Sequence, residues 1–245
     1  MSNLVIKQLS KSFGSKIVLD QLCFDVKLGE FVSILGPSGS GKSTLFHLIG
    51  GRYLPDQGDI LIDNKSIVGQ AGQMSYMPQS PSLFPWRTIR ENIVLGAELK
   101  GKPDLALAEQ MLKKAGLTEV ADAYPSALSG GMKQRAAFIR ALLSPQDLLC
   151  LDEPFSALDE FTRLDMQNWL LSIWQTYRKS VLFITHSIEE ALYLSDRIVI
   201  LSTNPARIKA VFEPKFERPR APELLLTDDF LAWKRRVYQT IKADH

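Results

Sequence analysis

The sequence predicts an α/β fold organised around a phosphate-binding loop, and three observations carry that expectation. An apolar run, FVSIL, leads into GPSGSGKST at 36–44, and a helix-period run with Leu45, Phe46, Leu48 and Ile49 follows. Compact apolar runs at 148–151, 181–185 and 197–201 read as buried parallel strands. Helix-period segments at 161–177 and 188–194 fall between them, the pattern of strands joined by crossover helices.

A strand, a glycine loop and a helix in that order make an anion cradle. Gly36, Gly39 and Gly41 permit backbone conformations that bulkier residues resist, so N–H groups of the loop, those of Ser38, Ser40 and Thr44 included, can surround a phosphate at a positive helix terminus, while Pro37 shapes the same loop without an N–H of its own. Lys42 supplies a point charge for the β- and γ-phosphates. Ser43 supplies a hydroxyl suited to Mg²⁺, which prefers oxygen ligands shared with nucleotide phosphates. The plain alternative is a flexible Gly/Ser connection, against which the Lys-Ser ending and the flanks weigh. The loop implies a nucleoside triphosphate and no particular protein.

With 245 residues and 45% hydrophobic content, the chain can bury one large core or two closely packed lobes. A net charge of +2, from 29 basic and 27 acidic residues interspersed along the chain, argues against a nucleic-acid partner held through phosphate contacts. Cys23 and Cys150 match no metal or redox spacing and are expected to be buried, reduced thiols. No apolar run approaches the roughly 20 residues of a membrane helix, and the start lacks the apolar centre of a signal peptide. Any membrane connection is therefore expected through a partner.

Along the chain, residues 4–9 and 17–26 carry strand patterns with a turn near Gly14 and Ser15, an antiparallel edge. Phe13 stands where a ring could stack on a base, or merely pack at a strand end. Residues 58–63 and 74–77 read as further strands, and the second runs into Gln79, whose amide oxygen suits Mg²⁺. The stretch PSLFPW at 81–86 sets large apolar side chains between prolines, for inward packing or for a partner surface. Residues 88–95 and 104–115 are helix-period and suggest an inserted helical lobe. Ser129 can cap a helix opened by Gly130 and Gly131 and continued to residue 143, a start that exposes amides to another phosphate. The run at 148–151 delivers Asp152 and Glu153 at its carboxyl end, where ligands collect in open α/β sheets, and His186 directly follows the run at 181–185. A solvated acidic pair and a structural histidine are the plain alternatives. FERPRAP at 216–222 reads as an irregular linker before a last amphipathic helix near 230–241.

In their order, GPSGSGKST, Gln79, LSGGMKQR at 128–135, LLCLDEP at 148–154, SALD at 156–159 and His186 resemble the nucleotide-binding subunit of ABC transporters over roughly residues 1–212. The resemblance implies a P-loop NTPase with a RecA-like core, an antiparallel β subdomain and an α-helical subdomain inserted at about 81–145. Residues 213–245 would then be a C-terminal linker and helix. It also implies ATP hydrolysis with Mg²⁺, held by Ser43, Gln79 and, through water, Asp152. Glu153 would polarise the attacking water and His186 would touch the γ-phosphate. Phe13 would stack on adenine. Ser129, Gly130 and Gly131 would close over the nucleotide of a second copy arranged head to tail, making hydrolysis conditional on a homodimer. Residues 79–86 would dock transmembrane permease subunits, and Leu83, Phe84 and Trp86 gain a second explanation there.

The segments SLFPWRTIRENIVLG, SALDEFTR and FERPRAP further resemble the nitrate, sulfonate and taurine importer group, which includes carriers of thiamine-precursor pyrimidines. That implies an extracytoplasmic solute-binding protein in the same system and a place at the cytoplasmic face of the membrane. A soluble ABC-type ATPase acting on DNA or ribosomes is the rival reading. The first kind needs a long heptad-bearing insertion, which the roughly 85 residues between the phosphate loop and LSGG do not supply. The second carries two cassettes, and one is present here.

Overall fold

A computed structural model describes residues 2–99 and 101–243. Strands β1 (Ser2–Phe13) and β2 (Lys16–Lys27) pair antiparallel across a turn at Gly14 and Ser15. Next come β3 (Phe31–Leu35), α1 (Lys42–Ile49), β4 (Gln57–Ile62), β5 (Lys65–Ser66) and β6 (Ser75–Met77). A helical stretch contains α2 (Ile89–Glu98), α3 (Leu105–Lys114) and α4 (Gly130–Leu143). The chain then alternates through β7 (Leu148–Asp152), α5 (Glu160–Tyr177), β8 (Ser180–Thr185), α6 (Ile188–Leu194) and β9 (Arg197–Leu201). It finishes with β10 (Ile208–Phe212) and α7 (Asp228–Lys242).

The main sheet runs β10-β9-β3-β8-β7-β6 and is parallel apart from β10. Every residue of β3, β7 and β8 is buried, which is why these strands are mostly apolar. Alternate side chains enter two cores. Phe31, Leu149 and Phe183 join a cluster with the helices α2 to α6, whereas Val32, Cys150 and Leu182 join α1 and the second sheet. That second sheet, β2-β1-β4-β5, is antiparallel, as the alternation of its strands requires. The architecture is the α/β fold with an antiparallel sheet and a helical insertion that the motifs imply.

Helix starts follow their capping residues. Thr88 and Glu91 make a reciprocal capping box on α2, and Asp104 and Ser129 accept from backbone amides of the first turns of α3 and α4. The apolar loop before α2 is pinned from below. Buried Asn92 donates to the carbonyls of Phe84, Arg87 and Thr88 and accepts from the Phe84 amide at 2.8 Å. Arg140 donates to the carbonyls of Pro81 and Ser82. Leu83 packs inward, while Trp86 stays 70% exposed with the Phe84 ring 5.1 Å away. Inward packing therefore holds for Leu83, and Trp86 is left at the surface.

One expectation needs correction, and two features of the fold go beyond what the sequence announces. Cys150 is buried, and burial pushes its thiol up, but Cys23 is exposed. It lies between buried Leu22 and Phe24, so the alternation of β2 turns it outward, where its sulfur accepts from the Gln8 amide. Strand β10 carries no strand signal because it is an edge whose residues are mostly half-covered, with only Phe212 buried. The linker at 216–222 has no regular strand or helix before residue 222, yet Arg220 within it is buried among carbonyls.

Candidate functional site

Parallel register brings the candidate residues to one edge. Leu35 lies beside Thr185 and Asp152 beside Ile184, so the loop at 36–44, Glu153 and His186 all leave the carboxyl ends of neighbouring strands. A cavity of about 300 Å³ opens there, lined by Ser38, Gly39, Ser40, Gly41, Lys42, Ser43, Thr44, Glu153 and Val18.

The loop is shaped by its glycines. Gly41, at φ +79°, caps α1, and a Cβ on it would stand 2.6 Å from Leu19 and 3.1 Å from Val18. A larger residue would force the Leu19 side chain aside and strain the backbone at that φ. Gly39 meets nothing within 4 Å, and its φ of +78° is what demands glycine. The Lys42 ammonium is buried and donates to the carbonyls of Gly36 and Pro37 at 2.8 Å and to Ser40 Oγ at 3.4 Å. Burial pushes its pKa down, and the charges of Glu153 and Asp152 oppose that shift. A desolvated cation whose hydrogen-bond partners are neutral oxygens suits an incoming phosphate, so the residues present fit a nucleotide.

Glu153 stands at the centre. Its backbone takes φ +44°, unusual for a non-glycine residue, and is held there by its amide donating to Ile184 O and by Ser156 donating to its carbonyl. Such strain persists where the surroundings over-determine it, often at functional sites. Oε2 of its carboxylate receives Gln79 Nε2 at 3.4 Å and lies 3.3 Å from His186 Nδ1. Gln79 also donates to Ser156 Oγ at 3.2 Å, and its own carbonyl accepts from Gln134. Asp152 sits behind the cavity and accepts from Tyr76 Oη at 3.1 Å. Burial pushes its carboxyl up, and the Tyr76 hydrogen bond opposes that. A divalent cation beside it would favour the ionised form, and the oxygens of Ser43, Asp152 and Gln79 are of the kind Mg²⁺ takes.

The structure thus gathers the loop, Glu153, Gln79 and His186. It keeps others apart. Phe13 is 45% exposed and packs edge-on against Tyr53 at 5.5 Å, outside the cavity lining. Ser129 and Gly130 are exposed and Gly131 is half-buried at the start of α4, also outside it. Val18, Tyr76 and Ser156 join the site without having been singled out for it. Val18 and Tyr76 lie in ordinary strand patterns, and only the tertiary pairing places them; Ser156 lies inside SALD and was legible only as part of that motif.

Comparison with known proteins decides the family. A family model described as ABC transporter matches residues 19–156. The chain belongs to the ABC transporter family. The cassette is 40% identical to an uncharacterized ABC transporter ATP-binding protein of Methanocaldococcus jannaschii, covering 98% of this chain and 91% of the relative. It is also 40% identical to an aliphatic sulfonates import ATP-binding protein of Bacillus cereus, over 97% and 93% of the two chains. Among solved structures, a dimeric post-hydrolysis ATP-binding cassette bound to ADP and Pi superposes with a TM-score of 0.74 at 29% identity, covering 87% of this chain and all of the other. This ABC cassette is an ATPase coupled to transport, and ATP is its nucleotide. None of its described helices is long and apolar enough to cross a membrane.

Proposed function

We propose that this cassette powers uptake of a small solute through partner membrane subunits, hydrolysing ATP in a head-to-tail dimer at the cytoplasmic face of the membrane. The observation that carries this reading is Glu153, whose carboxylate faces the phosphate-loop cavity with His186 and Gln79 against it. Lys42 and the loop amides hold the β- and γ-phosphates. Mg²⁺, when bound by Ser43, Gln79 and Asp152, supplies positive charge beside the transferring phosphoryl group. Glu153 takes the proton of the attacking water, and His186 fixes the γ-phosphate against it. Phe13 offers a ring to adenine.

Ser129, Gly130 and Gly131 are exposed or half-buried outside their own cavity, as residues serving a second copy's nucleotide would be. In this reading residues 1–212 are the nucleotide-binding domain, with the helical lobe at about 81–145, and 213–245 form an appended segment. The permease subunits dock near 79–86, where Trp86 is exposed and Gln79 links the surface to Glu153. Closure of the ATP sandwich moves these docking surfaces together and switches the permease between its two open forms. An extracytoplasmic binding protein delivers the solute. The sulfonate-import relatives favour the nitrate, sulfonate and taurine class or a thiamine-precursor pyrimidine over a soluble ATPase acting on DNA or ribosomes.

Purification of the tagged chain from cells expressing its neighbouring transport genes tests this. A small hydrophobic membrane subunit should co-purify and raise ATP hydrolysis when the binding protein and its solute are added. Association with DNA or ribosomes instead would overturn the transport reading.

A further inference from the structure

His186 is the single residue between the end of β8 and Ser187, the N-cap of α6. Its ring is mostly exposed and meets Glu153, so its place is set by the backbone on either side. The sheet fixes one side. Helix α6 fixes the other, and seven residues are too few to be stable through their own hydrogen bonds.

The tail supplies what α6 lacks. Arg220 donates through Nη1 to the carbonyls of Leu192 and Tyr193 and through Nη2 to that of Ser195, while Arg218 Nη2 donates to that of Leu194. Four successive carbonyls at the helix end, which the helix itself leaves unpaired, thus face guanidinium donors whose charge also suits a helix C-terminus. Arg218 lies over the Trp174 ring at 4.3 Å and donates to Asp196, whose other oxygen accepts from the amide of Phe31 at the start of the strand feeding the phosphate loop. At the opposite end of α6, Lys234 of α7 pairs with Glu189 at 2.7 Å. The arrangement is a costly way to gain stability alone. Arg220 is buried with Nε unpartnered, and burial followed by the Arg218 charge pushes its guanidinium down to about 10.

We propose that Arg218 and Arg220 are positioning residues for His186, clamping α6 by its last carbonyls and so setting where the imidazole stands against Glu153. The inference rests on the role given to His186 above, and the test separates the two. Arg220→Lys, Arg218→Lys and His186→Ala are compared for folding, for the kcat and KM of Mg-ATP hydrolysis by the full chain, and for the ring NMR signals of the three histidines. Arg220→Lys is expected to fold, to lose roughly tenfold to a hundredfold in kcat as misplacement of a catalytic group does, and to keep KM within about twofold. The His186 ring signals should shift while those of His47 stay. A folded variant with unchanged kcat, or one whose kcat falls with His186 signals unmoved, overturns the clamp. Should Arg220→Lys fail to fold, Arg218→Lys at the rim is judged by the same two criteria. Full hydrolysis by His186→Ala would instead remove the role given to His186, leaving the NMR shift to decide the clamp.

Discussion

Replacing Glu153 with glutamine is expected to leave ATP binding intact and to lower hydrolysis by roughly a hundredfold to ten-thousandfold, the range a positioned general base contributes. The amide keeps the shape and can still meet Gln79, but it cannot take a proton from water. Because the nucleotide is then held and not consumed, the dimer should accumulate with Mg-ATP and be visible by size-exclusion chromatography. The measurement is single-turnover hydrolysis beside nucleotide affinity. Turnover at the normal rate would remove Glu153 from this role and leave its left-handed backbone at φ +44° unexplained.

Lys42→Ala acts at the earlier step. The ammonium is held by the carbonyls of Gly36 and Pro37, so its removal deletes the cavity's buried cation while the glycine-shaped backbone stays. Loss of a hydrogen bond to a charged partner costs about 1.5–3 kcal/mol, or roughly a tenfold to hundredfold rise in Kd for ATP. Titration of the variant with a fluorescent ATP analogue reads this directly. An unchanged affinity would mean that the loop amides hold the phosphates unaided.

The two substitutions concern residues that were legible in the sequence, and the reason is physical. A strand, glycine loop and helix are local, so FVSIL, GPSGSGKST and the run after it announce their geometry within a single stretch. Ser129 before Gly130 is equally local, since a cap reads only its own first turn. Residues that depend on distant partners were not legible. Tyr76 has meaning only because β6 lies beside β7 and puts its hydroxyl on Asp152. Arg218 and Arg220 lie in a stretch that reads only as an irregular linker, because the carbonyls that bury them come from a helix more than one element away. Cys23 shows a different failure. Its alternation was present in the sequence, but chemical type outweighed phase in placing it inside, and the strand turned it outward.

The same division applies to the composite pocket. Lys42 and Glu153 meet within one chain, whereas Ser129 to Gly131 stand outside the cavity, so half of the proposed chemistry depends on a second copy. Hydrolysis per chain measured across a dilution series tests that dependence most directly. The account predicts a rate that rises with protein concentration and vanishes under strictly monomeric conditions. A rate per chain that holds constant down to the monomer would contradict it.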